Sequence, residues 1–274
     1  MPVTVISGGT DGMGRALVAA RLARGDDVVA LGSNPEKGRA IQALSERVHF
    51  LQVDLSSVAA TRSAIEIIKQ RWPVVDALAL FANRQAPRRV ATPEGLEQTF
   101  ALYYLSRYLL SYGLREALDR AEHPVIINVA GVGITKGAIH WDDLQLESRY
   151  RMIDAQLQAG RANDLLGVDF AENSGSRARY VLYHPGFTRS GDLTPLPGPL
   201  RLAIRAAAVF ARPVERSIAP IVEWIDHPPS AALTANDRGK PVPLTIPTLN
   251  PAAARRLGTV TAELLARLSA SDVS

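Results

Sequence analysis

The sequence predicts an α/β domain built on one doubly wound parallel sheet, and three observations carry that reading. Runs rich in β-branched residues alternate with helix-period segments almost from end to end. A glycine-rich turn, Ser7-Gly8-Gly9-Thr10-Asp11-Gly12-Met13-Gly14, joins the first such run to the first helical segment. The 274 residues are 47% apolar, enough for one sizeable core, and no linker or repeat divides them.

The elements follow in order. Val3-Thr4-Val5-Ile6 is the first strand, and Gly12 to Arg24 reads as a helix with apolar Leu17, Val18 and Leu22. A strand at Asp27 to Leu31, a helix at Pro35 to Glu46 and a strand at Val48 to Val53 complete a βαβαβ unit. Ser57 to Arg71 is a helix, and Val74 to Phe81 a buried strand. Thr92-Pro93-Glu94 is a helix start with a capping hydroxyl and early acid. That helix runs to about Arg120, with Leu96, Phe100, Tyr103, Leu110 and Leu114 on one stripe. A fifth strand spans Pro124 to Val129, a helix containing Asn163 reaches about Ala171, and a sixth strand spans Arg179 to Tyr183. Beyond Gly186 the pattern loosens, with helical stretches at Leu200 to Ala211 and Pro251 to Leu268. The whole chain, 1–274, reads as a single domain, with 187–274 its C-terminal, substrate-side region.

The turn carries the first functional signal. Its glycines, spaced G-x-x-x-G-x-G, let backbone approach a pyrophosphate at a helix N-terminus, where unpaired N–H groups and the dipole favour an anion. Gly8, Thr10, Asp11, Gly12, Met13 and Gly14 are therefore candidate cofactor contacts. Asp54 and Leu55, closing the third strand, suit an adenine amino group and ring. The second strand ends at Gly32-Ser33-Asn34 with no acid for a ribose diol, and Lys37 and Arg39 follow. That pattern favours a 2′-phosphate at Ser33, hence NADP(H), with NAD(H) the alternative.

Bulk properties narrow the classes. Lys and Arg exceed Asp and Glu by 31 to 27, a net charge of +4 with pI near 9.6, and the arginines are spread rather than clustered. No basic-aromatic stretch points to nucleic acid. Cysteine is absent, which excludes disulfides, thiol catalysis and cysteine metal sites, and the acids and histidines show no metal spacing. The first strand begins at residue 3, leaving no room for a signal peptide, and Leu200 to Ala211 is too short and too charged to span a membrane. A cytoplasmic location is the expectation.

With the turn, Asp54 and His184-Pro185-Gly186 in view, the chain resembles the short-chain dehydrogenase/reductase family, nearest its retinol-dehydrogenase-like members. Pro87-Arg88-Arg89, Glu94-Gly95, Phe100 and Ile139-His140-Trp141-Asp142-Asp143-Leu144 carry the closer likeness. The resemblance implies a Rossmann-type domain and hydride transfer between NAD(P) and an alcohol or ketone. It also implies cofactor contacts from Ala82, Pro185, Gly186 and Thr188, and dimers paired through the two long helices.

The family's usual chemistry uses a tyrosine, a lysine four residues on, a serine and a helix asparagine. Here those positions fall on Leu157, Arg161, Ala130-Gly131 and Tyr103. All four are changed. Tyr103 with Arg161 as its cation is the candidate substitute acid/base pair, against the plainer reading of Tyr103 as part of an apolar stripe. His140, Asp142 and Asp143 are weaker candidates, and His184 reads as a packing and hydrogen-bonding residue. Three readings stay open: an oxidoreductase acting on a hydrophobic carbonyl, alcohol or enone; a non-redox cyclase, isomerase or dehydratase; and a silent dinucleotide- or partner-binding protein.

Overall fold

The computed structural model of the chain describes residues 1–186 and 213–271. The expected helix at 200–211 and Thr188 lie outside the described residues. The strands are β1 (Val3–Ser7), β2 (Asp27–Gly32), β3 (Val48–Gln52), β4 (Ala77–Leu80), β5 (Val125–Val129), β6 (Arg179–His184), β7 (Leu233–Asp237) and β8 (Lys240–Pro241). The helices are α1 (Gly12–Leu22), α2 (Pro35–Gln42), α3 (Val58–Arg71), α4 (Ser106–Gly113), α5 (Arg115–Asp119), α6 (Met152–Asn173), α7 (Val214–Asp226) and α8 (Pro251–Ser271).

The sheet order is β3-β2-β1-β4-β5-β6-β7-β8. Every neighbouring pair is parallel except β7–β8, a hairpin closed by Arg238 and Gly239, both at positive φ. Strand order reverses between β1 and β4, which opens a crevice at their carboxyl ends. Strand alternation divides the core. Val5, Leu78, Leu80 and Ile126 face α3, α4, α6 and α8, whereas Ile6, Ala79 and Ile127 face α1, α2 and α7. Both faces are covered, so the central strands read as continuous apolar runs.

Three differences from the sequence reading have physical causes. Thr92-Pro93-Glu94-Gly95 is a turn, with Gly95 at φ +79°, rather than a helix start. The cap lies further on: the Glu97 carboxylate accepts from the N–H groups of Thr99 and Phe100, each at 2.7 Å. Helix begins at residue 98 and opens into a π-helical turn at Phe100–Leu105 before α4, and the run breaks again at Leu114. The Tyr103 carbonyl inside that turn accepts instead from Asn163 Nδ2 of α6 at 2.7 Å. Finally, α7 and β7 add a helix and a strand where the pattern looked loose. Leu233–Asp237 carries one buried residue, Ala235, and so gives no apolar run to read.

Glu97 is almost fully buried, so its carboxylate caps the helix carrying Tyr103 in a low-dielectric setting. Glu97→Ala is expected to destabilise by about 1–2 kcal/mol. A thermal melt lowered by a few degrees checks it, and an unchanged melt would show that the cap contributes nothing.

Candidate functional site

The phosphate-binding turn is tight because its glycines have no alternative. Gly8 sits at φ +70°, and a Cβ there would stand 3.0 Å from the Ala82 nitrogen at the end of β4. A Cβ on Gly14 would run into the Gly8 carbonyl. Ser7 Oγ accepts from the N–H groups of Phe81 and Ala82 at 3.2 and 3.3 Å, fastening β1 to β4 beneath the turn. The Asp11 carboxylate caps the Gly12 N–H of α1 at 2.7 Å. The N–H groups of Thr10, Met13 and Gly14 have no protein partner among the described residues. Unpaired N–H groups converging on a helix N-terminus, beside a turn that tolerates no Cβ, fit a dinucleotide's pyrophosphate.

The adenosine end is similarly assembled. Gly32 leaves room for the Thr10 side chain, which a Cβ would approach to 2.9 Å, and exposed Ser33 follows it. Lys37 forms an ion pair with Asp11 across the mouth of the turn, and Arg39 is exposed. Asp54 is exposed, with Oδ1 accepting from the Ser56 N–H and hydroxyl. Ser57, not Asp54, caps α3, and Leu55 is buried. Gly186, after Pro185, sits at φ +80°, where a Cβ would meet the Arg238 side chain.

At the catalytic positions the structure separates the two residues paired by the sequence. Arg161 is buried and turned away from Tyr103. Its guanidinium donates to Asp164 Oδ2 at 2.7 Å, to the carbonyl of Ile134 at 3.1 Å, and more weakly to those of Thr135, Lys136 and Gly137. Gly137, at φ +93°, packs against Leu157, so this loop lies on α6. Burial pushes the Asp164 carboxyl up to about 7, against the lowering influence of Arg161.

The cation beside Tyr103 is Arg107, one helical turn on, with its guanidinium carbon 4.6 Å from the ring centroid. Arg107 is fully buried and donates to Asn128 Oδ1, to the Val129 carbonyl at 2.8 Å and to the Ala82 carbonyl at 3.0 Å. Asn128 in turn donates to Asn163 Oδ1 at 3.0 Å and to the Tyr180 hydroxyl at 2.9 Å. Tyr103 is 8% exposed. Its hydroxyl takes no partner among the described residues, yet its oxygen is not sealed from solvent. Burial pushes its phenol up, Arg107 opposes the rise, and Asp164 adds to it. Sequence reasoning missed Arg107 and Asn128. The signal was present for the first, since residue 107 lies between Tyr103 and Leu110 on the apolar stripe.

The weaker candidates resolve into structure. Asp143 accepts from the N–H groups of Glu147 and Ser148, which hold its carboxyl below the usual range and make it a turn residue. His140 is anchored to α6 through its N–H and Gln158. His184 Nδ1 lies 2.8 Å from Asp237 at the end of β7.

The sequence profile described as short chain dehydrogenase matches residues 2–142, just over half the chain. The chain belongs to the short-chain dehydrogenase family. Among curated relatives it is 29% identical over 192 residues to a proposed daunorubicin C-13 ketoreductase of Streptomyces sp. strain C5, covering 68% of this chain and 66% of that one. It is 28% identical to human polyprenol dehydrogenase over 54% of this chain and 48% of the relative. With human retinol dehydrogenase 12 the identity is 26%, over 69% of this chain and 62% of the relative. The matches thus span between about half and two thirds of these relatives' own length. A short-chain dehydrogenase from Streptomyces avermitilis shares the fold, with a TM-score of 0.66 at 18% identity over 99% of this chain and 97% of that one. No helix among the described residues is long and apolar enough to cross a membrane.

Gly14→Val is expected to abolish binding of NADPH in calorimetry while the far-UV circular dichroism spectrum is retained. Unchanged affinity would remove the turn from the site.

Proposed function

We propose that this family member is an NADP(H)-dependent oxidoreductase that reduces a hydrophobic small-molecule carbonyl or enone, without the family's usual tyrosine and lysine. The observation that carries the reading is the β1–α1 turn, whose unpaired N–H groups converge where a pyrophosphate belongs. Gly8, Thr10, Met13 and Gly14 would hold the phosphates, with Asp11 ordering the helix start. Ser33, Lys37 and Arg39 would face a 2′-phosphate, Asp54 and Leu55 the adenine, and Ala82, Pro185, Gly186 and Thr188 the nicotinamide half. NAD(H) is the alternative cofactor. The relatives named for a ketone reduction, for polyprenol and for retinol support a large apolar substrate.

When bound, the nicotinamide supplies the hydride. The chain's own task is alignment, exclusion of water and delivery of one proton. Tyr103 is the candidate donor: its hydroxyl lacks a partner, and burial keeps it protonated at neutral pH. A neutral phenol suits reduction, in which it acts as an acid, and disfavours the reverse oxidation, which needs the phenolate as base. Arg161 has no proton-transfer role in this reading. It holds the loop after β5 on α6.

That loop also favours a second reading. With the family's tyrosine position occupied by Leu157 and covered at Gly137, the fold would bind a dinucleotide without turnover. Following nicotinamide absorbance across apolar ketones, aldehydes and enones decides between the two. Oxidation of NADPH coupled to one of them supports the reductase, and saturable NADPH binding with no absorbance change across the panel supports the silent protein.

Two outcomes follow for the reductase. Tyr103→Phe is expected to lower kcat by roughly 10²–10⁴-fold with NADPH affinity unchanged. The rate of reduction is expected to hold through neutral pH and fall only as pH rises past about 10, the side of the ordinary tyrosine value to which burial moves this phenol. Full activity in the Phe variant would return Tyr103 to the packing stripe.

A further inference from the structure

Arg107 is the unusual charge in this molecule. It lies on the buried stripe of the helix that follows Glu97, completely removed from solvent, and among the described residues no carboxylate pairs with it. Its hydrogen bonds go to neutral groups: the Ala82 carbonyl just past β4, and Asn128 and the Val129 carbonyl of β5. Its Nε finds no acceptor at all. Burying a cation in this manner is costly, and packing alone would be better served by Leu or Met at this stripe position. The guanidinium faces the Tyr103 ring at 4.6 Å, and the Tyr103 hydroxyl has no partner among the described residues.

We infer that Arg107 is the positioning residue for the proton donor: a buried charge that fixes the Tyr103 ring and stabilises the phenolate left after proton transfer. The inference rests on the reductase reading above. In that reaction the O–H bond of Tyr103 breaks and its proton forms a bond to the substrate's carbonyl oxygen. The carbonyl carbon is reduced by the hydride of the dihydronicotinamide, which is oxidised to the nicotinamide. The phenolate then regains a proton from water. An opposite charge within about 4–6 Å favours an ionised group by about 1–3 pKa units. Arg107 thereby supplies the positive charge for the Tyr103 phenolate from one turn further along the same helical run.

The other groups facing Tyr103 do not supply that charge. Asp164 of α6 opposes the phenolate, and Arg161 on the same helix is bonded to Asp164 and the loop carbonyls. From the ends of β4 and β5, the Ala82 carbonyl, the Asn128 amide and the Val129 carbonyl meet Arg107, and none of these carries a charge. The Tyr180 hydroxyl of β6 accepts from Asn128, and as a phenol it brings no positive charge. Arg107 is the one lowering influence on the Tyr103 phenol.

The test places a fluorinated tyrosine, which ionises in a mild pH range, at position 103 and follows it by fluorine NMR without cofactor or substrate. Arg107→Gln, which keeps a donor and loses the charge, is expected to raise the ionisation midpoint by at least about one unit, a tenfold loss of phenolate at fixed pH. Arg107→Lys, which keeps the charge, is expected to restore most of it. In the turnover assay the Gln variant should lose about ten- to a hundredfold in kcat with KM little changed, and the Lys variant should recover part of that. A folded Gln variant with an unmoved midpoint would overturn the inference. A comparison needing no Arg107 variant guards against misfolding. The same label at position 104, more deeply buried and with no cation on its ring among the described residues, should titrate above the label at 103. A label at 103 that titrates at or above the one at 104 would overturn the inference as well. Because the titration requires no turnover, absence of activity with a normal midpoint shift would count against the reductase reading alone.

Discussion

A buried guanidinium with no counter-carboxylate among the described residues organises the carboxyl end of this sheet. Arg107 joins the Ala82 carbonyl to Asn128 and the Val129 carbonyl, and so fixes the ends of the two central strands relative to each other. Asn128 passes the constraint to Asn163, and Asn163 passes it to the Tyr103 carbonyl inside the π-helical turn. The π-helical turn, the placement of the Tyr103 ring and the packing of that helix on α6 all answer to this chain of bonds. Buried polar networks that are nearly fully satisfied hold one geometry, because any displacement exposes unpaired groups to a low dielectric.

On the other side of the crevice the constraint is steric. Gly8 and Gly14 bring backbone against backbone where no side chain fits, and Ser7 fastens the same turn to the end of β4. Ala82 is where the two constraints meet, since its N–H goes to Ser7 and its carbonyl to Arg107. The chain therefore has a rigid cradle at the β1–α1 turn, and in the proposed reading the proton moves through Tyr103 on the other side of the crevice. The loop after β5 lies over Leu157, and Arg161 clamps that loop onto α6.

Much of this was legible in the sequence, and the rest was hidden for identifiable reasons. The β1–turn–α1 unit could be read directly because a strand, a glycine turn and an amphipathic helix each leave a local pattern. The identities at the positions that the resemblance implies, Leu157, Arg161, Ala130-Gly131 and Tyr103, could also be read directly. The helix cap was misplaced because Thr92-Pro93-Glu94 has the composition of a helix start, whereas Glu97 caps through a side chain reaching forward along its own backbone. Arg161 was assigned to Tyr103 because both stand at catalytic positions, but Asp164, three residues on, pairs with it within the same helix. Arg107 sat in plain view on the stripe of Phe100, Tyr103, Leu110 and Leu114, where a charge at a buried position should have stood out. Its partner Asn128 lies inside an apolar strand, and no local pattern reveals that the two meet.

The central claim is that the cradle still binds a dinucleotide, with NADP(H) preferred. A fluorescence titration of the purified protein with NADPH and with NADH tests it most directly. The account predicts saturable binding of both, tighter for NADPH. Absence of binding by either would contradict it, leaving the glycine turn as a structural remnant and the catalytic side of the crevice without the cofactor its chemistry requires.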